Sequence, residues 1–364
     1  MYLAPASAPD LAAAVAAAPR RPDDTLLVLL AEDGAPPLPD LVAALAAEAV
    51  PFVGAVFPRL LAEGREVSEG AVVLSVPAAG PPVVVSGLDG AAPDVSGVDV
   101  PDGGTALVFV DSLAANPSGF LQALGDRFGT RIGYLGGGAG SLSLEQAPCV
   151  FTEAGAFQDA AVVLPVAARA ALGVRHGWER LAGPLVATRT HQGTVAHLNW
   201  EPAASVYARA VAPAAGRPIE PASFFETASG FPFGLTREGD EDVVRDPFRL
   251  DGEAIDCFGD VPENAVIYIL RGEPEALVEA AGRAAREAVG DAPKAAPALV
   301  IDCISRSLFL GEQFGRETAA LADAFVAAGR PAPDGALTLG EIASDGSGLL
   351  QFYNKTCVAA ALVA

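Results

Sequence analysis

Lysine is almost missing from this chain: only Lys294 and Lys355 occur in 364 residues. Arginine carries nearly all the positive charge, and 45 Asp and Glu against 23 Lys and Arg leave a formal net charge of −22. A surface this acidic repels phosphate backbones and anionic lipid heads, so nucleic acid and membrane surfaces are excluded as expected partners. Cysteine is scarce as well. Cys149, Cys257, Cys303 and Cys357 are scattered with no C-x-x-C pair, which argues against a disulfide framework and fits a reducing cytoplasm. The mean hydropathy is +0.36, yet no run of about 18 uncharged apolar residues exists to span a membrane. The Ala-rich first twenty residues lack a preceding positive charge and are interrupted by Asp10, unlike a secretory signal. The expectation is a soluble, cytoplasmic protein.

Catalytic signatures are also missing. The glycine-rich stretch "YLGGGAGSLS" (134–143) has no lysine near it for a P-loop, and a G-x-G-x-x-G match from Gly136 meets Ser141 in place of its last glycine. Two readings stay open: Gly137 and Gly138 allow close chain approach at a strand end, or they present amides to a ligand. The three histidines, His176, His191 and His197, match no zinc spacing. Each reads as a packing or surface residue, although haem needs only one axial histidine. No G-x-S-x-G elbow occurs, no carboxylate pair stands out as acid and base, and Cys303 shares the face of a buried strand with Leu299 and Ile301. No catalytic residue is assigned. An enzyme is the less favoured reading, and no metal is expected.

What the sequence does contain is repetition. "TLLVLL" (25–30), a helix over 38–49 and "PFVGAVF" (51–57) make a strand-helix-strand unit. "TALVFVD" (105–111), a helix in "PSGFLQALGDRFG" and "TRIGYLGGG" make a second. "PALVIDC" (297–303), a helix over 315–329 and "GALTLGEIA" make a third. Each ends in a glycine-bearing strand, so one structural module is used several times. Stretches 71–87 and 149–166 read as meander strands. The fold class is therefore α/β (mixed α+β), with mixed sheets flanked by helices. The length suits two domains, and the boundary falls between Leu181 and Thr190. Residues 213–256, rich in Pro, Gly and acids, read as an extended excursion with short strands.

The densest polar constellation is C-terminal. Arg306 in "IDCISRSLFLG" follows one strand, and Glu341 ends the strand "GALTLGEIAS". Carboxyl ends of strands form ligand crevices in α/β sheets. Along the last strand Leu350, Phe352, Asn354, Thr356 and Val358 share a face by period two. Arg306 and Glu341 either pair with each other to tie strands, or bind a zwitterion, the guanidinium on its carboxylate and the carboxylate on its ammonium. Asn354 and Thr356 would add neutral hydrogen bonds.

In order, "DCISRSLFLGEQFGRE", "GALTLGEIASDGSG" and "FYNKTCVAAAL" resemble the C-terminal domain of FIST proteins. "GTVAHLNWEPAASVYARAV" resembles the segment opening that domain. "IGYLGGGAGS" to "GAFQDAAVVLPV" resembles the end of the N-terminal FIST domain. The resemblance implies a FIST N-terminal-like domain over 23–186 and a FIST C-terminal-like domain over 187–364. It further implies a sensory module for a small ligand such as an amino acid, with Cys303, Arg306, Gly340, Glu341, Asn354 and Thr356 at the matching positions. No cofactor is expected on this reading. The alternative it implies is a haem-binding nitric-oxide or gas sensor, using His176, His191 or His197, that acts on a histidine kinase or a cyclic-di-nucleotide enzyme. A metabolite enzyme on the same scaffold is the third reading. With no output domain in the sequence, a signal would pass to a separate partner protein.

Overall fold

The computed structural model describes residues 1–363 other than 91, 92, 238, 291 and 295. It begins with β1 (Tyr2–Leu3), α1 (Ala8–Ala16), β2 (Thr25–Ala31), α2 (Leu38–Ala47) and β3 (Phe52–Phe57), then a hairpin β4 (Arg59–Ala62) and β5 (Arg65–Val67), and β6 (Ala71–Val76). Every residue of β2 is buried, as an unbroken apolar run requires of a strand covered on both faces. Helix α1 starts where the Ser7 hydroxyl accepts the Asp10 amide, with Pro9 in the first turn.

The same order recurs. Edge strand β7 (Val83–Ser86) precedes β8 (Thr105–Asp111), α3 (Pro117–Phe128), β9 (Gly133–Ala139), the hairpin β10 (Val150–Thr152) and β11 (Gly155–Phe157), and β12 (Ala160–Val166). Asn116 caps α3 by accepting the Gly119 amide at 2.9 Å. The third round opens with β13 (Arg169–Arg175) and is then interrupted. The strands β14 (Glu179–His191), β15 (Thr194–Leu198), β16 (Glu201–Pro202), β17 (Phe233–Leu235), β18 (Val243–Asp251), β19 (Ala254–Phe258) and β20 (Val266–Arg271), with α4 (Ala203–Ala215) and α5 (Phe224–Ala228), form a separate sheet. Pairing of β14 with β15 closes that sheet into a small barrel. The third round resumes with α6 (Pro274–Val289), β21 (Ala298–Cys303), α7 (Ile304–Leu310), α8 (Phe314–Ala327), β22 (Gly335–Thr338), the hairpin β23 (Glu341–Ser344) and β24 (Leu350–Tyr353), and β25 (Cys357–Val363).

The three remaining sheets have one plan. Their strand orders are β1-β6-β2-β3-β10-β11, β7-β12-β8-β9-β23-β24 and β13-β25-β21-β22-β4-β5. In each, the first and second strands of a unit run parallel and the last strand returns antiparallel. In each, the hairpin on the far side belongs to a different unit: β4 pairs with β22, β10 with β3 and β23 with β9. The exchange is cyclic, so the sheets close around one shared core. Leu27, Leu29 and Val53 of the first unit meet Leu107, Phe109 and Leu135 of the second and Leu299, Ile301 and Val358 of the third in a single apolar cluster. The outer faces are covered separately, by α1 and α2, by α3, and by α6, α7 and α8.

The repeated strand-helix-strand unit is thus present, as is a mixed α/β fold with several mixed sheets. Three details differ from the sequence expectation. "GALTLGEIAS" is two strands: β22 stops at Thr338, Leu339 and Gly340 cross between sheets, and Glu341 opens β23 rather than ending β22. The last strand is broken too, because Lys355 adopts φ 51°. That turn separates β24 from β25 and removes Asn354 and Thr356 from a common alternating face. The stretches 71–87 and 149–166 do not meander within one sheet: β6, β10 and β11 belong to the first sheet and β7 and β12 to the second. The excursion 213–256 does supply strands, two of the barrel and most of a third, together with the end of α4 and α5.

The cyclic exchange predicts that neither half folds alone. Fragments 1–201 and 202–364, expressed separately, will each lack a cooperative thermal transition by circular dichroism. Co-expressed, they will form one complex with a single transition, because each fills sheet edges in the other.

Candidate functional site

Arg306 lies in the first turn of α7 and is completely buried. All five of its N–H groups are used. Nε and Nη2 fork onto Glu317 of α8 at 2.9 and 2.7 Å, Nη1 donates to the carbonyls of His176 (2.5 Å) and Lys355 (3.1 Å), and Nη2 also reaches the Leu277 carbonyl at 3.0 Å. Asp302 Oδ1 stands 3.3 Å from Nε. Burial alone would weaken this cation, but Glu317 and Asp302 overcome it and hold its pKa above the ordinary value. Arg306 therefore ties α7, α8, α6 and the corner at Lys355 together, and its partner is Glu317 rather than Glu341. No N–H remains for a ligand carboxylate.

Glu341 is also fully buried. It accepts the Thr338 hydroxyl at 3.2 Å and the Thr356 amide at 3.1 Å, and the Cys303 thiol lies beside it. Burial pushes its carboxyl up to about 8, against those two hydrogen bonds, the Cys303 thiol and the nearby Arg306 charge. Burial and the Glu341 charge in turn raise the Cys303 thiol well above its ordinary value, so it stays a thiol at neutral pH. Glu341, Cys303 and Thr356 thus come together as the sequence suggested, but they satisfy one another.

In front of this cluster is a cavity of about 220 Å³. It lies where Ser112 and Leu113 follow β8, where Cys303, Ile304 and Ser305 pass from β21 into α7, and where Leu339 and Gly340 cross between sheets. The barrel closes it with Asp246 of β18 and residues 257–260, and Phe352 and Asn354 complete the wall. Strand ends thus form the crevice, as α/β sheets generally provide. Gly340 has φ 104°, and a Cβ there would meet the Phe352 ring. Gly137 and Gly138 sit behind the wall. A side chain on Gly137 would strike Thr338 and Ile301, and one on Gly138 would strike Ser112 and Leu339, so both glycines serve close packing of strands.

Two buried acceptors on the cavity wall have no hydrogen-bond partner among the described residues. One is Asn354 Oδ1 and the other is the Asp246 carboxylate. Lys355 Nζ approaches Asp246 Oδ2 to 3.2 Å, itself buried and stacked 5.2 Å from the Trp178 ring, and Ser305 also lies near. Neither makes a hydrogen bond of ordinary geometry with the carboxylate. Burial raises the Asp246 pKa while Lys355 and Ser305 act to lower it. Ser112, Asp246, Ser305 and Lys355 were not singled out from sequence. The one usable signal was Lys355, a rare lysine in a chain whose default cation is arginine.

A family model described as FIST N domain matches residues 24–201, and one described as FIST C domain matches residues 203–344. The chain belongs to the FIST family. No curated protein matches it. The FIST N and FIST C matches meet at the start of α4, inside the barrel, while the boundary read from sequence, 186/187, falls inside β14. FIST N contributes β14, β15 and β16 to the barrel and FIST C contributes the rest. The two FIST segments also share the second and third sheets. The corner carrying Asn354, Lys355 and Thr356 lies beyond the FIST C match.

Haem was the cofactor alternative for this FIST chain, and no histidine lines the cavity. His176 is buried, and its Nδ1 accepts the Trp178 amide at 2.8 Å. That bond places the proton on Nε2, which faces Glu241 at 3.6 Å, so no imidazole lone pair is free for iron. Burial holds the ring below its usual pKa. The groove beside it is walled in part by Arg175, Arg283, Glu241 and Asp242. His191 is exposed at the end of β14 and His197 is half-buried in β15. Among the described residues no group of three or more His, Cys, Asp or Glu could hold a metal ion, and no helix is long and apolar enough to cross a membrane.

Two predictions follow from the buried charges. Arg306→Ala strands Glu317 and should lower unfolding stability by about 3–5 kcal/mol, whereas the double change Arg306→Met with Glu317→Leu should recover most of it; urea unfolding measures both. Glu341 titrates near 4.5 in the unfolded chain and about 8 when folded. Its stabilisation is complete below the lower value and lost as pH rises through the upper. Glu341→Gln should therefore gain stability relative to wild type as pH climbs from about 5 to about 8, read by denaturation at stepped pH.

Proposed function

We propose that this FIST protein is a sensor that binds a small polar ligand, an amino acid or a related metabolite, in the 220 Å³ cavity and passes the signal to an output protein. FIST domains are sensory modules of signal transduction. The observation that carries the reading is that Asp246 and Asn354, on the wall of this cavity, have buried oxygens with no hydrogen-bond donor among the described residues, Lys355 being the ionic neighbour of Asp246. Such atoms cost several kcal/mol unless something donates to them.

The cavity's position supports signalling. Its walls come from the second sheet, the third sheet, the α3 start and the barrel, so one bound molecule would touch four parts of the fold. A ligand favouring one arrangement of the barrel against the sheets shifts the population toward it, and a partner that recognises that arrangement reads the signal. By family resemblance that partner is a histidine kinase or a cyclic-di-nucleotide enzyme. The Cys303 thiol is held protonated, which favours binding over nucleophilic catalysis as the role of this cavity.

Thermal-shift and calorimetric screening of the purified chain against the amino acids and their simple derivatives tests the reading. A true ligand at about 100 times its Kd should stabilise the fold by about 2.7 kcal/mol. Asn354→Leu should abolish that gain, and a ligand response unaltered by this substitution would place the site elsewhere.

A further inference from the structure

We propose that the ligand of this cavity is a small organic amine without a carboxylate, its protonated amino group held by Asp246 and Asn354 and its apolar body held by the aromatic and aliphatic wall. The inference rests on the sensory reading above and narrows its ligand class.

Among the described residues, the buried side-chain atoms of the wall that lack a hydrogen-bond partner are all acceptors. Asp246 is 1% exposed and Asn354 4%, and their orphaned atoms, both carboxylate oxygens and the amide Oδ1, only accept. The Ser112 hydroxyl spends its proton on the Leu339 carbonyl at 2.8 Å, which leaves that oxygen free as a further acceptor. Lys355 approaches one oxygen of Asp246 and does not itself line the cavity. A protonated amine supplies up to three donors and a charge for these oxygens, and such charge-assisted bonds are about twice as strong as neutral ones.

A carboxylate has no comparable partner. Among the described residues no Arg, Lys or His lines the cavity. Arg306 has all its N–H groups committed elsewhere. Arg245 points its guanidinium at the carbonyls of Asp260, Val244 and Phe352. The charged side chains that do line the cavity are Asp246 and the exposed Asp260. A free amino acid's carboxylate would find no cation to fork onto. Leu113, Ile304, Leu339, Phe258 and Phe352 supply the apolar surface, and Phe258 is fixed by stacking on Phe248, with ring centroids 4.4 Å apart.

The test is isothermal calorimetry on the full chain with matched series: L-leucine, L-leucinamide and isopentylamine, and L-phenylalanine, L-phenylalaninamide and phenethylamine. The amine and the amide of a series should bind at least tenfold tighter than the parent amino acid. Asp246→Asn should remove the difference. Because that change leaves Lys355 without its counter-ion, Asn354→Asp provides an independent check: it should tighten amine binding about tenfold and leave the parent amino acid unimproved. Amino acids binding as tightly as their amides would overturn the amine inference while leaving the cavity a ligand site. Absence of heat with every member of both series would overturn the inference and the sensory reading of this cavity together.

Discussion

A parallel strand pair made by one strand-helix-strand unit leaves the second strand with an unpaired edge, and this fold follows from how three such edges are filled. The edges of β3, β9 and β22 are each paired by a hairpin from another unit. An unfilled edge would expose a row of amides and carbonyls and invite aggregation. Filling it in rotation makes each unit depend on the next, so the three inner faces must meet in one core. FIST N and FIST C are accordingly two segments of sequence whose strands interleave. The barrel, inserted between β13 and α6, is built from both as well.

The same rotation creates the site. A chain leaving one sheet for the next needs a crossover at the end of its strand, and Leu339 and Gly340 form the crossover that borders the cavity. Close approach there excludes bulk: Gly340 lies under Phe352, and Gly138 lies under Ser112 and Leu339. Behind the wall the crossing chains bring ionisable groups into the interior, where Arg306 with Glu317 and Glu341 with Cys303, Thr338 and Thr356 are mutually satisfied. Among the described residues of the cavity wall, Asp246 and Asn354 keep buried oxygens without hydrogen-bond donors.

Much of the scaffold was legible in the sequence because its signals are local. Unbroken apolar runs marked β2, β8 and β21, and glycine and proline marked the ends of helices. The candidate site was legible only in part. Cys303, Gly340 and Asn354 do line the cavity, whereas Arg306 and Glu341 are absorbed by partners on other elements, Glu317 and the Lys355 carbonyl for one and the Thr356 amide for the other. Period-two reasoning failed at Asn354 because the positive φ of Lys355 breaks the strand. Asp246 reads as one acid among many in an acidic stretch, and nothing local distinguishes it.

The sequence by itself determined the repeated unit, the mixed α/β class and the FIST resemblance, since alternation, apolar runs and motif order are properties of neighbouring residues. Only the tertiary structure decided which edge each hairpin fills, and with it which polar groups are spent on one another and which remain free. Those pairings are set over separations such as the 130 residues between Arg306 and His176. At that range the partner is chosen by where the sheets close, and residue spacing carries no record of it.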